Sequence, residues 1–267
     1  MAQATDDPIW LAIRMEATEN SKREPMLASF LHMVILNHKT LEDALSFILA
    51  TKLSGAVMPD VTLRDLIDEA FQNDPAIGEK FRADIQAVYE RDPACREYST
   101  PALYLKGFQA LQAYRVAHYL WRQDRTQLAL FLQSRISEIF AVDIHPAARI
   151  GRGIFIDHAT SVVIGETAVV GDNVSMLHEV TLGGTGKTTG DRHPKVRDGV
   201  LITAGAKILG NVVIGEGAKV GGGAVVLENV PAHTTVIGVP ARPYGHTRTD
   251  TPALDMDHRL YGFGDGI

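Results

Sequence analysis

A six-residue period runs through the second half of the chain and constrains its fold more than any other feature. Between residues 144 and 231, an aliphatic residue opens each unit, and glycine and polar residues fill most of the other places. A fixed period this short is typical of a parallel β-helix, in which three units close one triangular coil and the opening residues stack inward. The opening residues are Ile144, Ile150, Ile156, Ile164, Val170, Met176, Leu182, Val196, Ile202, Ile208, Ile214, Val220 and Val226.

The fifth place of each unit is small or β-branched, which suits a crowded corner of such a coil. An ordinary β-sandwich with glycine-rich turns is the alternative, but its strands favour period-two alternation, which this stretch lacks. Gly165 and Gly171 are expected to supply turn conformations that other residues resist. The fifth-place residues are Ala148, Thr160, Ala168, Val174, Val200, Ala206, Val212, Ala218 and Ala224.

The first 140 residues are predicted to form a bundle of helices. Apolar residues at helical spacing follow Thr40 and Thr62, and each threonine is a candidate N-cap. A further helix is predicted to open at Thr100 and to carry Phe108, and a last one runs from about residue 125 to residue 140. No residue pattern in the bundle suggests chemistry, so we expect it to serve packing and oligomerisation.

Composition excludes several classes of protein. The net charge of the 267 residues is −6, which argues against a general nucleic-acid binder. Cys95 is the only cysteine, so no internal disulfide can form, and a reducing compartment is compatible with the chain. The first ten residues contain no apolar run, and no stretch approaches the roughly 20 apolar residues of a membrane span. A cytoplasmic protein with no nucleic-acid or membrane partner is therefore expected.

The predicted fold is α+β, with a helical bundle followed by a parallel β-helix. The predicted domains are residues 1–140 for the bundle, 141–241 for the β-helix and 242–267 for a flexible tail. Residues 183–195 interrupt the repeat with a glycine-rich, cationic excursion. Loops on rigid scaffolds tend to carry function, although the spacing of a phosphate-binding P-loop is absent here.

His158 is the first candidate for chemistry in the repeat. It occupies the third place of its unit, which should project outward, and Asp143 precedes it by about one edge of the coil. A carboxylate that holds one imidazole nitrogen fixes the tautomer and raises the basicity of the other, as a general base for an alcohol requires. An exposed structural histidine is the alternative, and His178 is a rival base at the equivalent place of a later unit.

Zinc binding is an alternative role for the histidines. Four of them lie in or near the repeat, but no pair has HxxxxH spacing, and Cys95 is far away in the helices. No metal site is therefore predicted. The four histidines are His145, His158, His178 and His193.

Three motifs make a resemblance to a known family specific. These are Asp157-His158-Ala159, the GGTGK run at 183–187 and the DRHPK run at 191–195, and together they resemble serine O-acetyltransferases, the first enzymes of cysteine biosynthesis. The helical segments around Tyr89–Ala94 and Ala117–Trp121 and the terminal Gly-Asp-Gly-Ile are also similar. The resemblance implies that the β-helix is left-handed, which the hexad period alone does not establish.

The resemblance implies acetyl transfer from acetyl-CoA to the hydroxyl of L-serine, with direct attack of the serine oxygen on the thioester. His158 matches the general base and Asp143 the carboxylate that orients it. Residues that match the serine-binding set are Asp92 and Asp157 for the ammonium, Arg192 for the carboxylate and His193 as a further contact. A guanidinium fork suits a carboxylate, and paired carboxylates suit an ammonium.

A second set of residues is expected to bind acetyl-CoA, whose pantetheine arm could lie along the outer surface of the coils. Gly184, Ala204 and Gly222 would permit close approach of the arm. Lys219 and Arg242 could meet the phosphates.

The family also implies several partners. L-cysteine shares the ammonium and carboxylate of serine and is expected to inhibit by competing for the same site. Trimers joined through the helical domain into a dimer of trimers are expected. The terminal Ile267 is expected to dock into O-acetylserine sulfhydrylase, the next enzyme.

Three other functions stay open from the sequence. The protein could acetylate another acceptor, such as a sugar or another amino acid. It could be a noncatalytic scaffold, although Arg192 and His193 in the loop argue against that. A zinc-dependent hydratase is the third, and metal analysis would decide it.

Overall fold

The computed structural model describes residues 7–186 and 189–260, in which helices come first and a parallel β-solenoid follows. A π-helical turn at His32–Leu36 follows the second helix. The other helices are α1 (Pro8–Arg23), α2 (Pro25–Leu31), α3 (Leu41–Leu53), α4 (Asp60–Asn73), α5 (Ala76–Arg91), α6 (Ser99–Tyr104), α7 (Lys106–Arg122), α8 (Thr126–Phe140) and α9 (Pro252–Asp255).

Most of the predicted helices are present, but some of their starts differ. Thr40 caps α3 as predicted, since its hydroxyl accepts from the Asp43 N–H. Thr62 is not a cap, because α4 begins at Asp60 and takes Thr62 into its first turn. The helix expected from Thr100 is divided into α6 and α7 by Leu105, whose backbone is extended.

The solenoid is built from short parallel strands that form three sheets. The first sheet has the order β1-β4-β7-β10-β13, the second β11-β8-β5-β2, and the third β14-β12-β9-β6-β3 with β15 at its edge. The strands are β1 (Val142–Ile144), β2 (Arg149–Ile150), β3 (Phe155–Ile156), β4 (Val162–Ile164), β5 (Val169–Val170), β6 (Ser175–Met176), β7 (Thr181–Gly183), β8 (Lys195–Val196), β9 (Leu201–Ile202), β10 (Lys207–Leu209), β11 (Val213–Ile214), β12 (Lys219–Val220), β13 (Val225–Val226), β14 (Thr234–Ile237) and β15 (Arg242–His246).

The hexad pattern correctly predicts what fills this solenoid. Every opening aliphatic residue is buried, and the strand register stacks each on its equivalent, as in the pairing of Ile144 with Ile164. The small fifth-place residues are buried too, with the exception of Thr160. Thr160 is exposed because the chain carries two extra residues there, and Ala159 takes the buried place instead.

A buried ionic network joins the helical bundle to the solenoid. The Asp84 carboxylate on α5 accepts from Arg115 Nη2 on α7 at 2.7 Å and from the Ile154 N–H of the solenoid at 2.9 Å. Arg115 also donates to the carbonyl of Gly151. Both ionic side chains are almost completely buried, so this pair fixes the bundle on the coil through bonds that water cannot replace.

Residues 242–260, which belong to the segment predicted as a flexible tail, contain a strand and a short helix. β15 pairs antiparallel with β14, and α9 follows it. Ala253 of α9 is fully buried against Leu177 and Leu201, which explains why this segment holds a defined position. Ile267 lies outside the described residues. Among the helices of the described part, none is long and apolar enough to cross a membrane.

Candidate active site

His158 lies at a corner between the third sheet and the first, where the repeat changes phase. His158, Ala159 and Ser161 all have left-handed backbone angles, which turn the two extra residues into a protruding corner. The side chain of His158 is 71% exposed, and its Nε2 lies 3.5 Å from Oδ2 of Asp157. The outward direction that the sequence predicts for His158 is therefore confirmed, with a carboxylate beside it.

His178 occupies the same corner one coil further along. The two imidazole rings lie edge to face, with 5.7 Å between their centroids. Nδ1 of His178 is buried and has no hydrogen-bond partner in the described part of the chain. His158 is the more exposed of the two, which favours it as the group that meets a substrate.

Asp143 lies on β1, and its partner is a residue that the sequence did not suggest. Oδ1 of Asp143 accepts a hydrogen bond of 2.7 Å from Nε2 of Gln133 on α8. Among the described residues, no hydrogen bond or ion pair joins Asp143 to His158. The role of Asp143 as the carboxylate that orients His158 therefore stays a prediction.

Asp92 directly follows α5, a helix that packs against β3 of the third sheet. Its Oδ1 accepts from the Ala94 N–H at 2.8 Å, which closes a tight turn. The adjacent Arg91 is buried and donates to the carbonyl of Gly153, and burial lowers the pKa of its guanidinium to about 10. These contacts place Asp92 near β3, the strand that leads directly to Asp157.

Arg192 and His193 lie at a different corner, between the first and second sheets. Nη2 of Arg192 pairs with Oε2 of Glu166 at 2.6 Å, and this bond holds the pKa of Glu166 below its ordinary value. His193 is buried, and its Nδ1 accepts from the Thr167 N–H at 3.1 Å. Burial lowers the pKa of His193, which favours the neutral ring. Because Nδ1 accepts from Thr167, the proton of the neutral ring lies on Nε2.

Gly165 makes room for His193. A Cβ at Gly165 would lie 2.1 Å from Cδ2 and Nε2 of the His193 ring. The backbone of Gly165 is not left-handed, so the expected turn role is wrong, and close approach explains the glycine instead.

Three of the residues expected to bind acetyl-CoA lie on the same side of the solenoid as His158. Ala204 and Gly222 occupy the same corner in later coils, where the Gly223 N–H donates to the carbonyl of Ala204. Lys219 on β12 is buried, and its Nζ donates to the carbonyls of Asp257 at 2.5 Å and Arg259 at 2.7 Å. The segment after α9 therefore lies over Lys219.

The two other residues of that expected set lie apart from these three. A Cβ at Gly184 would lie 3.4 Å from both Arg192 and His193, so Gly184 belongs to their corner. Arg242 begins β15, and its exposed guanidinium lies 3.9 Å from Glu228.

Within one chain the predicted serine-binding residues form two groups. β4 separates Asp157 and His158, which precede it, from Glu166 and the Arg192 corner that lies beyond it. The two groups therefore lie at different corners of the solenoid. Among residues 7–186 and 189–260, no three His, Cys, Asp or Glu side chains are placed to hold a metal ion.

Comparison with known proteins decides the family. The profile described as "Serine acetyltransferase, N-terminal" matches residues 9–113, and "Bacterial transferase hexapeptide (six repeats)" matches residues 193–228. A serine acetyltransferase of Salmonella typhimurium is 56% identical over 265 residues and covers 97% of each chain. The chain belongs to the serine acetyltransferase family. The crystal structure of serine acetyltransferase from Vibrio cholerae has 59% identity and a TM-score of 0.94, over 95% of this chain and 98% of that one.

Relatives in this family have been solved with three ligands. A serine acetyltransferase in complex with cysteine has 56% identity and a TM-score of 0.92, over 94% and 97% of the two chains. The enzyme of Brucella abortus in complex with coenzyme A has 54% identity and a TM-score of 0.89, over 90% and 96%. The enzyme of Neisseria gonorrhoeae in complex with serine has 51% identity and a TM-score of 0.87, over 90% and 98%.

Proposed function

We propose that the protein transfers the acetyl group of acetyl-CoA to the hydroxyl of L-serine and releases O-acetylserine and CoA. The observation that carries the proposal is the exposed His158 on its left-handed corner beside Asp157, in a chain 56% identical to a serine acetyltransferase along nearly its whole length. An imidazole beside a carboxylate is well suited to general-base work on an alcohol.

Direct transfer needs one base and no covalent nucleophile. His158 removes the hydroxyl proton while the serine oxygen attacks the thioester carbonyl, which forms the C–O bond and a tetrahedral intermediate. The C–S bond then breaks, and the imidazolium returns its proton to the departing thiolate. Asp143 would stabilise the imidazolium. Cys95 is buried against Val88 and Phe155, and the mechanism gives it no role.

We infer that the serine site is shared between protomers. The ammonium would meet Asp92 and Asp157, and the carboxylate would meet Arg192, with His193 as a further contact. Because these two groups occupy different corners of one chain, a neighbouring solenoid in a trimer would bring the His158 corner of one protomer to the Arg192 corner of the next.

The acetyl-CoA arm would lie along the corner that begins at His158 and continues through Ala204 and Gly222. Lys219 is engaged by the segment after α9, so it can meet a phosphate only if that segment moves. Gly184 and Arg242 would then contact the cofactor from a neighbouring protomer or from the end of the coil.

The helical domain offers a surface for joining two trimers. Met15 on α1 is 73% exposed and Met26 on α2 is 90% exposed, and we name these two residues the methionine patch. Exposed large apolar side chains on two packed helices are candidates for an association surface. A dimer of trimers joined through this surface is the proposed assembly.

Further partners follow from the same site. L-cysteine carries the same ammonium and carboxylate as serine, so we expect it to compete for the serine site. Docking of Ile267 into O-acetylserine sulfhydrylase and a cytoplasmic location stay predictions.

The deciding experiment is release of free thiol from acetyl-CoA by the purified protein, with and without L-serine. Serine-dependent release is expected, together with O-acetylserine of the correct mass. A panel of sugars and other amino acids tests for another acceptor. Absence of CoA binding would favour the noncatalytic scaffold, and a tightly bound zinc ion with no acetyl transfer would favour the hydratase.

A further inference from the structure

We propose that Gln133 is a positioning residue for the transfer reaction, because its side-chain amide holds the Asp143 carboxylate ready to receive the His158 imidazole. The inference rests on the proposed function, in which Asp143 supports the general base.

The contact itself is short and well matched in chemistry. Nε2 of Gln133 donates to Oδ1 of Asp143 at 2.7 Å, the length of a hydrogen bond to an ionised acceptor. An ionised carboxylate can only accept, so the amide nitrogen is the end of Gln133 that it needs. One carboxylate oxygen is thereby fixed, and within residues 7–186 and 189–260 no hydrogen bond to the other oxygen is formed.

The connection between α8 and β1 explains why Gln133 reaches this place. α8 ends at Phe140, and Ala141 takes a left-handed conformation that reverses the chain into β1. Two turns of helix therefore lie back along the strand, with Gln133 beside Asp143. The Ser161 N–H donates to the carbonyl of Ala141 at 2.8 Å, which ties the start of β1 to the corner that carries His158.

The pairing of β1 with β4 links the strand that carries Asp143 to the strand that follows His158. Asp143 pairs with Val163 on the next strand, and Val163 follows His158 by five residues. A carboxylate fixed on β1 therefore lies beside β4, the strand that follows the His158 corner. Small errors in its orientation matter, because misplacement by about 1 Å can cost roughly 10²-fold in rate.

Other titratable groups lie around Asp143 or at the neighbouring corner. Gln133, Glu138 and Asp143 line one groove between α8 and β1. Within it, Glu138 pairs with Arg135. His145 lies within electrostatic reach beyond β1, and burial lowers its pKa although the charge of Asp143 opposes that shift. Asp157 and His158 face the sheet from the corner before β4. Gln133 is the uncharged donor in this set.

Two substitutions at Gln133 test the proposal with opposite signs. Gln133→Leu keeps the size and removes the donor, so kcat should fall about 10-fold or more, and the acidic limb of the kcat/KM profile should move to lower pH as the imidazolium loses support. Gln133→Glu adds a second negative charge, which stabilises the imidazolium. The acidic limb of the kcat/KM profile should therefore move to higher pH by about half a unit or more.

Gln127 supplies the matched control, since it lies on the exposed surface of α8. Gln127→Leu repeats the same change on the same helix, and wild-type kcat and pH profile are expected. A merely structural role for Gln133 would give the same direction of change in both Gln133 variants and would overturn the proposal.

Asp143→Asn separates this proposal from the function on which it rests. If Asp143→Asn loses activity while Gln133→Leu behaves as wild type, the role of Gln133 is rejected and the role of Asp143 is kept. Full activity in Asp143→Asn would instead remove Asp143 from the mechanism and Gln133 with it. Circular dichroism of each variant verifies that the fold is retained.

Discussion

At the scale of single residues, the function depends on how far a side chain projects from a rigid coil. His158 owes its exposure to a left-handed corner, so removing its imidazole should leave the fold intact. For His158→Ala we expect kcat to fall by about 10²-fold or more, within the range that general-base catalysis supplies. Steady-state thiol release measures this. Near-wild-type turnover would reject His158 and direct attention to His178.

A glycine provides a second test at this scale. In Gly165→Ala the new methyl group would occupy the place of the His193 ring, which therefore has to move. We expect KM for serine to rise by about 10-fold with little change in KM for acetyl-CoA. Gly223→Ala is unsuitable as a control because its backbone is left-handed, whereas in Gly55→Ala the new methyl group meets only the guanidinium of Arg135 at 3.6 Å, so this variant should behave as wild type. Equal serine kinetics in Gly165→Ala would contradict the role of His193.

Residue-scale contacts were only partly predictable. His158 and its outward direction followed from its place in the hexad. Glu166, Thr167 and Gln133 carried no signal, because their importance arises from neighbours 10 to 26 residues away in sequence that the coil brings alongside.

At the scale of secondary-structure elements, the junction between α5, α7 and the solenoid depends on one buried ion pair. Asp84→Ala would leave Arg115 buried without its partner, which costs about 3–5 kcal/mol. Asp68→Ala is the control, since its pair with Arg64 is partly exposed and long, and a change within about 0.5 kcal/mol is expected. Urea unfolding at a fixed protein concentration compares the two. Equal stability of both variants would show that the junction does not need the pair.

Prediction succeeded for elements that repeat and was weaker where elements meet. The hexad predicts which residues fill the coil because each unit solves the same packing problem. The break at Leu105 carries no local signal, and just beyond it α7 packs so closely on the solenoid that a Cβ at Gly107 would lie 2.1 Å from the carbonyl oxygen of Ile156. The strand β15 and the helix α9 carry no signal in the sequence, because burial of Ala253 depends on a surface made by distant strands.

At the scale of the whole molecule, assembly decides whether the serine site is complete. We expect light scattering of the full chain to give a hexamer. Replacing the methionine patch by Met15→Lys with Met26→Lys should reduce the mass to that of a trimer while thiol release is retained. Val57→Lys, at another exposed apolar position, should leave the hexamer intact. A monomeric wild-type protein would refute the shared site as well as the proposed assembly.

The two ends of the solenoid have a consequence for solubility. A stack of parallel strands presents unpaired N–H and C=O groups at its first and last coil, and such edges template end-to-end growth into fibres. Here α8 packs against β1 at one end, and β15 folds back antiparallel beyond β14 along part of the other. Pro243 within β15 lacks an N–H, which makes that strand a poor template. The chain therefore carries its own stops against polymerisation, and any lengthening of the coil has to occur between them.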